Sequence, residues 1–318
     1  MGKRLRWLLW IAMGAILTMP FSVSVWAKTT GTTDTTKMIS LAQMNPFQAI
    51  FLGFIQGVTE FLPISSTAHL KAVPVFLGWG DPGVTFTAVI QLGSIFAVVW
   101  YFRDDLLKIT GGMLKAIGSK DYSSHDFRLA MGIALGTLPI VFFGLLLKKL
   151  VPDLDQSAFR SMATIGMASI VMSLLLALGE RLGVHKRSFD SLAQRDGVLM
   201  GLAQALALIP GVSRSGSTMT AGLFMGLQRA TAARFSFLLG IPAITLAGLV
   251  EFKDVLSTIQ SAEILPLALG IISATVFSYL SIAWLLNFLK NQSMWIFVWY
   301  RLVFGAAILL GVYLGRFS

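Results

Sequence analysis

The chain has 318 residues, of which 55% are hydrophobic and 13% charged, with a mean hydropathy of +0.76. That is more apolar side chain than a water-soluble core absorbs, so a soluble globular enzyme is excluded and a polytopic membrane protein is expected. The absence of cysteine excludes disulfides, thiolate zinc sites and thiol redox chemistry, and the net charge of +10 is scattered between apolar segments, which argues for topology signals and against nucleic acid.

In chain order, Lys3, Arg4 and Arg6 precede an apolar run and a small-residue cleavage site at Val25-Trp-Ala27. Residues 1–27 are therefore expected to be a signal peptide, with an uncleaved helix as the alternative. A polar, Thr-rich linker (28–45) follows on the extracytoplasmic side, and 46–318 form a single membrane domain. Six apolar stretches in it are long enough to cross a ~30 Å hydrocarbon layer at ~1.5 Å per residue: 83–102, 127–147, 161–178, 232–250, 265–286 and 295–313.

Two further apolar regions are broken in the middle, 46–79 by Pro63 and the polar run after it, and 197–226 by Pro210-Gly211. Each piece is too short to span alone. Irregular backbone at membrane depth is tolerated where it is buried in protein or lines a wet cavity, so both are expected to be re-entrant helix hairpins. The two also resemble each other. Gly53-Phe-Ile-Gln56 leads to Pro63-Ile-Ser65-Ser66-Thr67, and Gly201-Leu-Ala-Gln204 leads to Pro210-Gly-Val-Ser213-Arg214-Ser215. Pro63 and Pro210 stand 147 residues apart, and Phe102 and Phe252 stand 150 apart, which is the mark of an internal duplication.

The expected fold is thus all-α, with repeat 1 at about 46–178 and repeat 2 at about 197–318. Each half holds one hairpin and three transmembrane helices, and the odd number of crossings inverts the second half. With the linker outside, twelve Lys and Arg fall in cytoplasmic loops and seven outside, so both mature termini are expected to be extracytoplasmic. The two Pro-Ser tips then meet near the midplane.

The chemistry concentrates at those tips. Gln56-Gly-Val-Thr-Glu60-Phe-Leu-Pro63-Ile-Ser65-Ser66-Thr67-Ala-His69 sets a carboxylate, an imidazole, hydroxyls and an amide among apolar neighbours, and ionisable groups at membrane depth tend to mark a site. Glu60 is either a poised base or a partner for a cation. Arg214, within Pro210-Gly-Val-Ser213-Arg-Ser215-Gly, suits phosphate because its planar guanidinium donates two parallel hydrogen bonds, and it can equally pair with Glu60. Any of Ser65, Ser66 and Thr67 could cap the helix after Pro63. A hydroxyl nucleophile needs a base within reach and a cation for the developing charge, and those parts are present here. His69 is open between proton donor, phosphate ligand and packed polar residue. Lys71 is read as snorkelling to the headgroups and Arg301 as pairing within the last helix bundle. Gly53/Gly57, Gly132/Gly136 and Gly222/Gly226 are read as helix close-packing signals.

The first motif together with Pro210-Gly-Val-Ser-Arg-Ser-Gly-Ser-Thr218 resembles the two signatures of the bacterial undecaprenyl-diphosphate phosphatase family, linked to bacitracin resistance. The likeness runs from about residue 46 to the C-terminus and includes Ile90-Gln-Leu-Gly-Ser-Ile95 and Tyr300-Arg301. It implies an inner-membrane hydrolase that converts undecaprenyl diphosphate to the monophosphate, recycling the lipid carrier for peptidoglycan and other envelope polymers. It also implies Ser66 as candidate nucleophile, Glu60 as base or metal-associated acid, and Arg214 on the diphosphate. His69, Ser213, Ser215 and Thr218 would be supporting phosphate contacts or proton donors, with Gln56, Ser65 and Thr67 beside the substrate.

A divalent cation, Mg or Ca, is implied by the resemblance alone. Gln56 stands where many members carry Glu, which puts a two-carboxylate metal site in doubt, and Ala68 replaces a frequent Gly. The expected partners are a polyprenyl diphosphate and the membrane, with a homo-oligomer left open. The main rival is a lipid-phosphate flippase on the same inverted-repeat frame. An acid-phosphatase-type lipid phosphatase is disfavoured, since no histidine follows Arg214.

Overall fold

The computed structural model describes residues 44–151, 157, 160–256 and 260–317. The expected signal peptide and nearly all of the linker lie outside the described residues. Among the described residues the protein is helical and forms no strand longer than single bridged residues, as between Arg187 and Leu227.

The first broken region forms α1 (Pro46–Phe61) and α2 (Ser66–Phe76). Pro46 starts α1, where its missing N–H costs nothing, and Asn45 and Gln48 cap each other reciprocally. Pro63 disfavours helical backbone at the residue before it, and Leu62 is accordingly extended. The second broken region forms α7 (Gln194–Ala205), a short 3-10 turn (Leu206–Leu208) and α8 (Arg214–Phe224). Between the hairpins lie α3 (Gly83–Tyr101), α4 (Arg103–Ser119), α5 (His125–Leu150) and α6 (Met162–Leu182). After them come α9 (Arg229–Leu256), α10 (Ile264–Phe288) and α11 (Trp295–Tyr313).

Five helices, α5, α6, α9, α10 and α11, are each long and apolar enough to cross a membrane, and α3 with α4 makes a sixth candidate as a pair bent by 66°. All six expected stretches are helical. Several run beyond the sequence limits because charged residues extend the helix out of the apolar layer: Asp126 and Lys148-Lys149 on α5, Glu180-Arg181 on α6 and Arg229 on α9. Helix α4 was not anticipated, since the segment after Phe102 reads as a charged loop.

Small residues set the close contacts. A Cβ at Gly53 or Gly57 would run into α10 at Gly270, Ser273, Ala274 and Ser278, and one at Gly197 or Gly201 would run into Gly132 and Gly136 of α5. Thus α1 packs on α10 and α7 on α5. Helix α3 lies against both α10 and α9, α6 lies against α11, and α8 rests on α6. The Gly222/Gly226 pair behaves differently from its reading in the sequence. Gly222 packs against Ala232, but Gly226 has φ +82° and serves the turn that ends α8.

Three ion pairs fasten one end of the bundle: Glu180 with Arg229, Asp196 with Arg187 and Asp105 with Arg234. Glu180 and Asp196 are buried at helix ends, whereas Glu60 lies at the hairpin break.

Candidate functional site

The two breaks share an unusual backbone. Ser65 has φ 75° and ψ 98°, and Ser213 has φ 72° and ψ 117°, in the left-handed region that L-residues seldom occupy. Each serine hydroxyl caps the helix that follows, accepting from Ala68 N at 3.5 Å and from Gly216 N at 3.1 Å. Strain of this kind persists where the surroundings enforce it, commonly at functional sites. The residue after each strained serine, Ser66 on α2 and Arg214 on α8, opens its helix and lines the same cavity.

Glu60 lies between them. Its Oε2 accepts from Ser66 Oγ at 2.7 Å and from Gln56 Nε2 at 3.2 Å, while Oε1 lies 3.5 Å from Arg214 Nη2. Both partners of this ion pair are only 9% exposed. Gln56 is held in turn by Ser94 at 3.3 Å, and Ser278 donates to Ser94 at 2.9 Å.

The Arg214 guanidinium sits over Phe61 and reaches the Ser236 carbonyl at 3.5 Å. It occupies the space that a side chain at Gly240 would fill. Its Nε is buried without a hydrogen-bond acceptor, and Nη2 has only the long ion pair to Glu60 Oε1. Buried donors of this kind are costly unless something accepts from them, and an anion beside Glu60 and Ser66 would do so.

Glu60, Ser65, Ser66, Thr67, Ser213 and Arg214 line one cavity of about 170 Å³. Gln91 of α3 adds an amide, and Ile140, Ala243, Ile244 and Ala247 of α5 and α9 make an apolar wall. Ser215 is turned elsewhere: its hydroxyl donates to the Leu62 carbonyl at 2.8 Å and joins the second hairpin to the first. Thr218 is fully buried and bonds Ser236 Oγ and the Arg214 carbonyl, so it braces α8 against α9.

His69 lies behind the turn and is not among the cavity residues. Its Nδ1 is 2.7 Å from the Ser65 carbonyl, which can only accept, so Nδ1 carries the proton. Nε2 then accepts from the Tyr300 hydroxyl at 2.6 Å, and the ring stacks on Phe304.

Sequence reasoning missed the reach of Arg301. This fully buried side chain in α11 donates to Pro63 O at 2.9 Å, Gly211 O at 2.8 Å, Val212 O at 3.1 Å and Ser169 O at 3.3 Å. Its partners are carbonyls freed by the two breaks, together with one on α6. The available signal was an arginine in the middle of an apolar span. Lys71 donates to the Arg160 carbonyl at 2.8 Å.

Among the described residues no three His, Cys, Asp or Glu side chains cluster to hold a metal. Glu60 is the one carboxylate lining the cavity, and it is already shared with Ser66, Gln56 and Arg214. The donor set fits a divalent cation in one sense, as an ion bound by one carboxylate plus substrate phosphate oxygens, which is how Mg²⁺ is commonly held.

Fold and site together define a multi-pass membrane protein with a buried carboxylate, hydroxyl and guanidinium grouped between two broken helices. The chain belongs to the bacitracin resistance protein BacA family, which it matches over residues 49–307. It is 70% identical over 268 residues to the undecaprenyl-diphosphatase of Trichormus variabilis, covering 84% of each chain. It is 69% identical over 268 residues to that of a Nostoc species, again 84% of each. With the Synechocystis protein of the same name the identity is 67% over 273 residues, 86% of this chain and 84% of the relative.

Proposed function

We propose that this protein is an integral membrane phosphatase that hydrolyses undecaprenyl diphosphate to undecaprenyl phosphate and inorganic phosphate. The observation that carries this reading is the grouping of Ser66, Glu60 and Arg214 at one cavity, with the serine proton already directed at the carboxylate. The names of the relatives agree with it, and they favour a phosphatase over the flippase reading.

In this mechanism the terminal phosphate accepts from the Arg214 guanidinium, and the positive ends of α2 and α8 favour its charge. Ser66 Oγ passes its proton to Glu60 and attacks the terminal phosphorus. The serine O–P bond forms as the bond to the bridging oxygen breaks, and the proton now on Glu60 passes to the departing lipid monophosphate. The regenerated Glu60 carboxylate then deprotonates a water that attacks the phosphorus. The serine O–P bond breaks, inorganic phosphate leaves, and the serine oxygen takes the proton back from Glu60. Gln56 holds Glu60 in register, and Thr67, Ser65 and Ser213 border the phosphate. His69 acts as a positioning residue that fixes the Ser65 carbonyl. A divalent cation entering with the diphosphate would be held by Glu60 and would neutralise phosphate charge.

The inverted repeat is part of the same proposal. It is supported by the matched backbone of Ser65 and Ser213 and by the matched packing of α1 on α10 and α7 on α5. Loop charge favours termini on the extracytoplasmic side. The cavity takes its apolar wall from the C-terminal halves of α5 and α9, which under that orientation point outward.

Phosphate release by purified protein tests the proposal, with undecaprenyl and shorter prenyl diphosphates supplied in detergent and wild type beside Ser66→Ala. Loss of turnover in the serine variant supports the covalent route. Near-normal turnover would sink that route and leave direct attack by a Glu60-activated water. No release by the wild type would sink the phosphatase reading.

A further inference from the structure

Helix α4 is built differently from every helix around it. It leaves α3 at Phe102 with a 66° bend, so where α3 crosses the bilayer near its normal, α4 turns toward the membrane plane. Trp100 and Tyr101 close α3 at that point, where amphipathic aromatics anchor to the interface. The first turn of α4 then carries Arg103, Asp104 and Asp105, which do not belong in hydrocarbon.

Around its axis the helix divides into three faces. One faces the bundle: Ile109 and Ala116 are buried, Asp105 pairs with Arg234, and Gly112 accommodates Asp126. To one side of that face Leu106, Met113 and Ile117 fall together, merging with Leu107 and Leu114 on the outer edge. Leu107 is 72% exposed, Leu114 61% and Ile117 49%. On the opposite side stand Lys108 and Lys115, seven residues apart, with Asp104 and Ser119. A helix docked on a bundle with one flank apolar and the other basic, at the depth where a span ends, is arranged to lie along a bilayer surface.

We propose that α4 is an interfacial helix that binds the membrane surface. Leu107, Leu114 and Ile117 enter the acyl boundary, and Lys108 and Lys115 engage anionic lipid headgroups. The occupant is the bilayer itself, argued from three observations: the apolar flank begins where α3 reaches its aromatic end, the bend turns the helix toward the membrane plane, and the lysines complement anionic lipid. The inference does not depend on the catalytic reading.

The cysteine-free chain allows a direct test. Single cysteines at Leu107, Leu114, Lys108 and Lys115 would carry nitroxides, with the full-length protein in vesicles of phosphatidylcholine with one quarter phosphatidylglycerol. Labels at positions 107 and 114 are expected to be several-fold more accessible to oxygen than to a water-soluble relaxation agent, with the order reversed at positions 108 and 115. Four labels all open to the aqueous agent would overturn the proposal, as would four all shielded from it. For the headgroup component, the unfolding midpoint of wild type should rise when phosphatidylglycerol is added to phosphatidylcholine nanodiscs. That rise should shrink at least by half in the Lys108→Gln/Lys115→Gln variant, and an equal rise in both proteins would overturn the role of the lysines.

Discussion

The two hairpins share a frame and differ in what they hang on it. Each breaks at a proline, passes through a serine with positive φ and restarts as an eleven-residue helix capped by that serine. On the first, the residue that opens the helix is Ser66, and Glu60 stands before the break. On the second, the corresponding residues are Arg214 and Leu208. The glutamines diverge as well. Gln56 is paired with Glu60 and Ser94, whereas Gln204 is fully buried and neither atom of its amide is hydrogen-bonded. Under the proposed mechanism the two similar backbones divide the labour, proton handling falling to the first and charge neutralisation to the second, while the Gln204 amide has no hydrogen-bond partner.

Removing either half of the charge pair should cost the most. Glu60→Ala and Arg214→Ala should each lower phosphate release by ~10³-fold or more, since each removes a group acting on the reacting phosphate. Each also leaves a buried partner uncompensated, so folded yield must be measured beside turnover. Next comes Arg301→Met, which strands carbonyls at both breaks at once. Stability should fall by ~3–5 kcal/mol, read as a lower unfolding midpoint in detergent. Gln56→Leu, which loosens Glu60 and leaves Ser94 short of a partner, should cut turnover by roughly tenfold with little change in midpoint. The smallest effect belongs to its counterpart. Gln204→Leu removes an unsatisfied buried amide and should raise stability by ~1–2 kcal/mol with turnover retained. Like behaviour of the two leucine variants would show that the two hairpins do not differ in this way.

Much of this was legible in the sequence because the physics is one-dimensional there. A span must be about twenty apolar residues long, so its absence around Pro63 and Pro210 announced the breaks, and the repeated spacing linked them. The residue types of the site were equally visible, since Glu60 and Arg214 are expensive at that depth.

What escaped depends on direction and on backbone partners. Thr218 belongs to the same motif as Arg214 but turns toward Ser236, and His69 turns toward Tyr300. Neither orientation follows from spacing within the motif. The partners of Arg301 are carbonyls, which every residue carries, so no side-chain pattern could mark them. Helix α4 was hidden because its Lys and Arg read as a cytoplasmic loop, while its apolar residues are split between a buried face and an exposed flank.

Arg301 also bears on motion. In transporters with inverted repeats, one unit rocks against the other around a fixed site. Here a single guanidinium grips Pro63 on one hairpin and Gly211 and Val212 on the other, like a rivet through two plates. Parting the hairpins would tear three hydrogen bonds from a buried charge, so the machinery is pinned shut at its centre. Under the proposed mechanism a lipid headgroup would then be bound and released without the two hairpins separating.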